Sequence, residues 1–323
     1  MPSASSTSLS SSRTLCVYGL KLFKATPKEL IDEIWQIIQR QYIDGTFNQV
    51  DWLAVRKEYL SKSYSSTQEA CQSAQEMLKK LGDPNTKLIN REKFQQFPIS
   101  GDLVDIGIYE RIEINPVEYS QQQSLSGKVG YIYLKQFSQN AAREMQSAIR
   151  DLEKQQVSGY ILDLRGNSGG LLSSSVEIAQ MWLDRGTIVS TFDRTGEQLR
   201  EVARGRALTN KPLVILVNQG SAGASEILAA ALQDNRRAVL VGNRTFGKNT
   251  MQSIRPLEDG SFLALTIVRY DTPNGRNINK SGIIPDVNVE LSPSDRQKIA
   301  TLSDPQYSMA LSILQKQIAA KTN

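Results

Sequence analysis

Leu213-Val214-Ile215-Leu216-Val217, followed by Gly220-Ser221-Ala222-Gly223-Ala224-Ser225-Glu226 and the apolar run Ile227 to Leu232, reads as a buried strand, a glycine-rich turn and a helix from Ala224 to about Leu232. Working outward, the same unit recurs. Tyr160 to Leu164 is a buried strand, Asp163-Leu164-Arg165-Gly166-Asn167-Ser168-Gly169-Gly170 a glycine-rich turn, and Val176, Ile178, Met181 and Trp182 the apolar positions of the helix after it. Val129 to Leu134 reads as a strand leading into a helix with Ala142, Met145, Ile149 and Leu152 on one face. Ala238 to Val241 and Phe262 to Tyr270 continue the series, and two short β-type runs, Leu103 to Ile108 and Arg111 to Val117, precede it. Strand and helix alternating in this way predict an α/β core of stacked units.

Ahead of that core the pattern is helical. Thr26-Pro27-Lys28-Glu29 carries a cap, a first-turn proline and the acid of a capping box, followed by Leu30, Ile31, Ile34, Ile37 and Ile38 at helical spacing. A second helix is expected from about Asp51 to Lys62 and a third from Ser66 to Leu81, stopped by Gly82-Asp83-Pro84. Four parts are therefore expected: a disordered or targeting segment over 1–25, a small helical region over 26–100, the α/β core over 101–292, and a helical C-terminal segment over 293–323.

Composition limits the chemistry. There is no histidine among the 323 residues, which excludes Ser-His-Asp and Cys-His sites and argues against a zinc hydrolase. Cys16 and Cys71 have no CxxC spacing, so no four-thiolate metal site can form; a single disulfide and an unpaired Cys71 in an apolar helix both remain open. No cofactor is implied. The net charge of +5 is spread over 38 basic and 33 acidic residues without a basic block, which gives no reason to expect nucleic acid. No 18-residue apolar stretch predicts a transmembrane helix, and the serine-rich first 25 residues lack a convincing signal-peptide core.

With Thr245-Phe246-Gly247-Lys248 placing a lysine 25 residues after Gly223, the Gly220 to Glu226 run resembles the site of the tail-specific, or C-terminal processing, proteases. Their nucleophile segment reads Gly-Ser-Ala-Ser-Ala-Ser-Glu, and their base is the lysine of a Thr-Phe-Gly-Lys-Gly run. The Asp163 to Gly170 turn and the run from Arg269-Tyr270-Asp271-Thr272-Pro273 to Gly282-Ile283-Ile284-Pro285-Asp286 match further family motifs in order, and Leu81 to Pro84 matches the end of its helical region. The resemblance implies a crotonase-like or Clp-like stacked strand-helix core. It assigns Lys248 as the general base, Gln252 as the residue that orients it, and the backbone of Ala224 and of the Gly169-Gly170 turn as oxyanion donors. It also implies extended polypeptides as ligands and export to a periplasm, cell envelope or thylakoid lumen, though the sequence itself leaves the compartment open.

Three departures bear on activity. Gly223 stands at the nucleophile position and has no hydroxyl, Asn249 replaces the glycine after the lysine, and Ile108 is followed too soon by Lys128-Val129-Gly130-Tyr131-Ile132 to leave room for a PDZ domain. Ser221 and Ser225 flank Gly223, but their side chains are expected to diverge from its position. Two functions are thus expected: a processing protease impaired by loss of its serine, or a non-catalytic protein that holds peptides or pairs with an active paralogue.

Overall fold

The computed structural model describes residues 26–90, 115–124, 127–196, 198–291 and 300–322. The expected segment over 1–25, the run Leu103 to Ile108 and the start of the run from Arg111 lie outside these residues.

The first three helices form where local signals placed them. In α1 (Pro27–Gln41) the Thr26 hydroxyl accepts from the Glu29 N–H and the Glu29 carboxylate accepts from the Thr26 N–H, a closed capping box. Asp51 caps α2 (Trp52–Ser61) and Ser66 caps α3 (Thr67–Lys79). The buried faces of these helices, including Leu30, Ile34, Ile38, Trp52, Ala74 and Met77, form one apolar cluster with Leu263 and Leu265 from the core.

Strand β1 (Lys87–Ile89) leaves this region, and a hairpin of β2 (Val117–Ser124) and β3 (Gly127–Leu134) opens the core. The chain continues through α4 (Ala141–Lys154), β4 (Gly159–Asp163), α5 (Leu172–Gln180), β5 (Thr187–Phe192) and β6 (Gln198–Val202). After these come β7 (Leu213–Val217), α6 (Ala224–Asp234), β8 (Val239–Gly242), β9 (Thr250–Pro256), β10 (Phe262–Asp271), β11 (Val287–Asn288) and α7 (Pro305–Thr322).

Two sheets result. The larger has the order β11-β8-β7-β4-β3-β2, parallel throughout except for the β2–β3 hairpin. Its central strands are buried on both faces, which is why they read as unbroken apolar runs. Leu213, Ile215 and Val217 of β7 point into the main core with α4, α5 and α6, while Val214 and Leu216 point the other way, onto Tyr307, Ala310 and Leu314 of α7. The smaller sheet is antiparallel: β10 pairs with β1, β5 and β9, and β6 lies outside β5. The N-terminal helices cover it through the Leu263 and Leu265 contacts.

The structure therefore has a mixed α/β core with a helical region packed on it. It adds five strands, β1, β5, β6, β9 and β11, that the apolar patterning of the sequence does not mark. It also extends the expected run at Val117 into an eight-residue edge strand rich in glutamine, and ends α5 at Gln180, so that Met181 and Trp182 lie just beyond the helix.

Candidate active site

Both glycine-rich turns sit at the C-terminal ends of adjacent parallel strands, β4 and β7, and hydrogen bonds join one to the other. Asn167 holds the seam: its carbonyl accepts from the Ala222 N–H at 3.0 Å and from the Ser225 hydroxyl at 2.8 Å, while its side-chain amide donates to the Leu134 carbonyl. Ser221 donates to the Leu164 carbonyl at 2.8 Å and accepts from the Asn218 N–H. Both flanking serines are buried and bonded to backbone carbonyls, as fits side chains that tie turns together rather than nucleophiles.

Gly223 ends the turn with φ 53° and ψ −111°, a region almost closed to residues with a Cβ, and the helix α6 starts at Ala224. Ala224 is a first-turn residue, so its N–H has no intrahelical acceptor. In the other turn Gly169 gives its N–H to Asn167 Oδ1 at 2.9 Å, whereas the Gly170 N–H has no hydrogen-bond acceptor among the described residues. Gly170 must be glycine: at φ +142° a Cβ would lie 2.2 Å from the Phe137 carbonyl oxygen.

Two side chains absent from the sequence-based roles fasten the Gly223 turn to the lysine loop. Glu226, fully buried, sits at the third position of α6 and reaches back to the Gly223 N–H at 3.1 Å. The same carboxylate accepts from the Lys248 N–H at 2.8 Å, from the Gly247 N–H at 2.7 Å and from the Thr245 hydroxyl. Burial pushes the Glu226 carboxyl above the usual carboxylate range, and these four donors oppose the shift. From the other side, the Tyr270 hydroxyl lies 3.1 Å from the Gly223 carbonyl oxygen and also against the Lys248 carbonyl oxygen, sharing one proton between two acceptors. Its burial raises its pKa strongly, so it remains a donor. Residues 223 and 248 are thus held by one acid through their N–H groups and one phenol through their carbonyls. Glu226 stands three residues after a turn glycine, the spacing of a capping acid, which is a local signal for its reach to Gly223. Tyr270 stands in a quoted motif, but its role has no local signal and depends on the pairing that brings β10 beside the lysine loop.

Lys248 is nine-tenths buried, and burial brings its ammonium down to about 8, with the charge of Lys87 pushing the same way and Asp83 opposing. A lysine with that pKa is substantially neutral near pH 8 and can accept a proton, as a general base must. Gln252 is fully buried on β9, and its amide nitrogen donates to the Thr266 hydroxyl at 3.1 Å. Asn249 is buried beside them. It donates to Asn277 Oδ1 at 3.1 Å, its backbone carbonyl accepts from the Tyr270 N–H, and its own Oδ1 has no hydrogen-bond partner among the described residues.

The structure thus brings Gly223, Ala224, Gly170 and the backbone of Lys248 into one bonded assembly. No group of histidine, cysteine, aspartate and glutamate side chains among the described residues could hold a metal ion, and no described helix is long and apolar enough to cross a membrane.

Comparison with known proteins shows the family. Residues 128–289 match the model of peptidase family S41, and residues 23–62 match that of the tricorn protease C1 domain. A carboxyl-terminal-processing protease of Synechocystis sp. is 33% identical over 369 residues, covering 89% of this chain and 86% of its own. The chloroplastic carboxyl-terminal-processing peptidase 3 of Arabidopsis thaliana is 33% identical over 81% of this chain and 69% of its own. Among solved structures, a photosystem II D1 C-terminal processing protease superposes with a TM-score of 0.72 at 26% identity, over 88% of this chain and 99% of that one. On the family match, the identity across most of the chain and the shared fold, this chain belongs to peptidase family S41, with the carboxyl-terminal-processing proteases among its relatives.

Proposed function

We propose that this member of a serine peptidase family has kept the peptide cleft and lost the peptidase step. The observation that carries the reading is the clamp on residues 223 and 248, which holds the base and the nucleophile position while position 223 bears no hydroxyl. Without that oxygen no acyl-enzyme can form, and loss of a nucleophile lowers the rate by about 10⁴ to 10⁶. Lys248 is then a base with no serine to deprotonate, and Gln252 its orienting neighbour. The N–H groups of Ala224 and Gly170, which do not depend on any side chain, are the oxyanion donors of the former site. An extended polypeptide pairs with backbone groups in the same way whether or not it is cut, so the cleft serves as a binding site for such chains.

The alignment with the Synechocystis protease supports a missing module. It runs over 369 residues, whereas 89% of this 323-residue chain is about 287, so about 80 positions have no counterpart here. We assign that gap to the PDZ domain that the short distance between Ile108 and Lys128 leaves no room for.

Incubated with an unstructured polypeptide, the wild-type protein is expected to produce no new termini by mass spectrometry. Peptides bearing a photo-cross-linker should label residues 167–171, 222–226 or 246–252. Cleavage that survives Lys248→Ala would show that another site does chemistry, and cross-links confined to other surfaces would remove the cleft from the account.

A further inference from the structure

The helical region supplies a cavity that the reading above does not use. It has a volume of about 460 Å³, lies between the end of α3 and the start of β1, and is lined in part by Leu78, Lys79, Asp83, Pro84, Lys87 and Leu88. Hydrogen bonds join it to the site. Thr86, also in its wall, donates to Asp83 Oδ2 at 2.6 Å and accepts from the Thr266 N–H at 3.1 Å, and the Thr266 hydroxyl accepts from Gln252. Two threonines therefore separate the cavity from the Gln252 side chain.

Its charge is unbalanced. Two lysines line it against one aspartate, and Asp83 is already engaged by the Thr86 hydroxyl and the Asn85 N–H. Among the described residues no carboxylate pairs with Lys79 or Lys87. The positive charge of Lys87 also reaches Lys248, where after burial it is the next largest cause of that lysine's lowered pKa. Two lysines at a cavity with leucine and proline walls are complementary to an anion carried on an apolar stem.

We propose that this cavity receives a carboxylate of the polypeptide held in the cleft, between Lys79 and Lys87, with the aliphatic part of that residue against Leu78, Pro84 and Leu88. The carboxylate comes either from the peptide's C terminus or from an acidic side chain. This inference rests on the reading of the cleft as a peptide site, and it gives a chain without a PDZ domain its own means of selecting acidic ligands.

The test is fluorescence anisotropy with short unstructured peptides of one sequence in three forms: free C-terminal carboxylate, C-terminal amide, and amide with a terminal glutamate. Wild-type protein is expected to bind at least one carboxylate form about tenfold more tightly than the plain amide, and the form preferred identifies the source. The variant combining Lys79→Gln and Lys87→Gln should bind the plain amide as wild type does and lose the preference. Both lysines are exposed, so the variant is expected to fold, which its melting curve checks. Equal binding of all three forms, or a preference that survives the double substitution, overturns the carboxylate site and leaves the cleft standing. Failure of every form to bind overturns both.

Discussion

The two turns that follow β4 and β7 look alike in the sequence and are held in place by different means. The first, Asp163 to Gly170, is anchored by charge: Arg165, almost fully buried, pairs with Asp163 at 2.6 Å and with Asp304 at 2.8 Å, and so ties the turn to the segment entering α7. Burial opposes the arginine's charge, but the two carboxylates outweigh it and raise its pKa. Its Gly170 is fixed by sterics. The second turn, Gly220 to Glu226, is joined to the lysine loop by hydrogen bonds that the Glu226 carboxylate accepts and the Tyr270 hydroxyl donates, and at Gly223 and Lys248 these engage backbone atoms. A turn held through its main chain keeps its shape when the side chain at its tip is lost. On the reading proposed above, the serine of such a site disappears while base, oxyanion donors and cleft persist.

The largest expected effect separates the two anchors. Arg165→Met leaves the Asp163 and Asp304 carboxylates buried without their cation and should destabilise the fold by about 3–5 kcal/mol in denaturant titration. A loss below about 1 kcal/mol would mean that the network is not what fixes the first turn.

Glu226→Gln is next. It keeps the shape but turns an amide N–H₂ toward groups that are themselves donors, leaving at least one unpaired, at a cost of about 1–3 kcal/mol. In a protein carrying Gly223→Ser it should also reduce any cleavage gained, because residues 223 and 248 lose their common acceptor. Full stability together with undiminished cleavage would show that the clamp is incidental.

What the sequence disclosed follows the range of the forces involved. The caps at Thr26, Asp51 and Ser66 act within four residues, and the helices they start were legible; so were β4 and β7, whose two buried faces demand unbroken apolar runs. Strands β6 and β9 were not, because Gln198–Val202 is mostly exposed and the Thr250–Pro256 run mixes polar and apolar residues without a helix or strand period that stands out. Only pairing with β5 and β10 makes them strands. The site divides in the same way. Lys248, Gln252, Gly223, Ala224 and Tyr270 all stand in motifs that can be read in order, but the role of Tyr270 comes from a contact 47 residues away in the chain.

The central claim, that everything except the nucleophile is still in place, is tested most directly by putting the nucleophile back. Four proteins are compared for cleavage of casein: wild type, Gly223→Ser, Lys248→Ala and the double substitution. Serine at φ 53° is strained and should lower stability by about 1–3 kcal/mol without unfolding the chain. Gly223→Ser alone is expected to cleave, with a rate that rises as the pH passes upward through about 8 and Lys248 loses its proton, and the double substitution is expected to be inert. A folded Gly223→Ser protein with no activity at any pH, or one whose activity survives Lys248→Ala, would contradict the central claim.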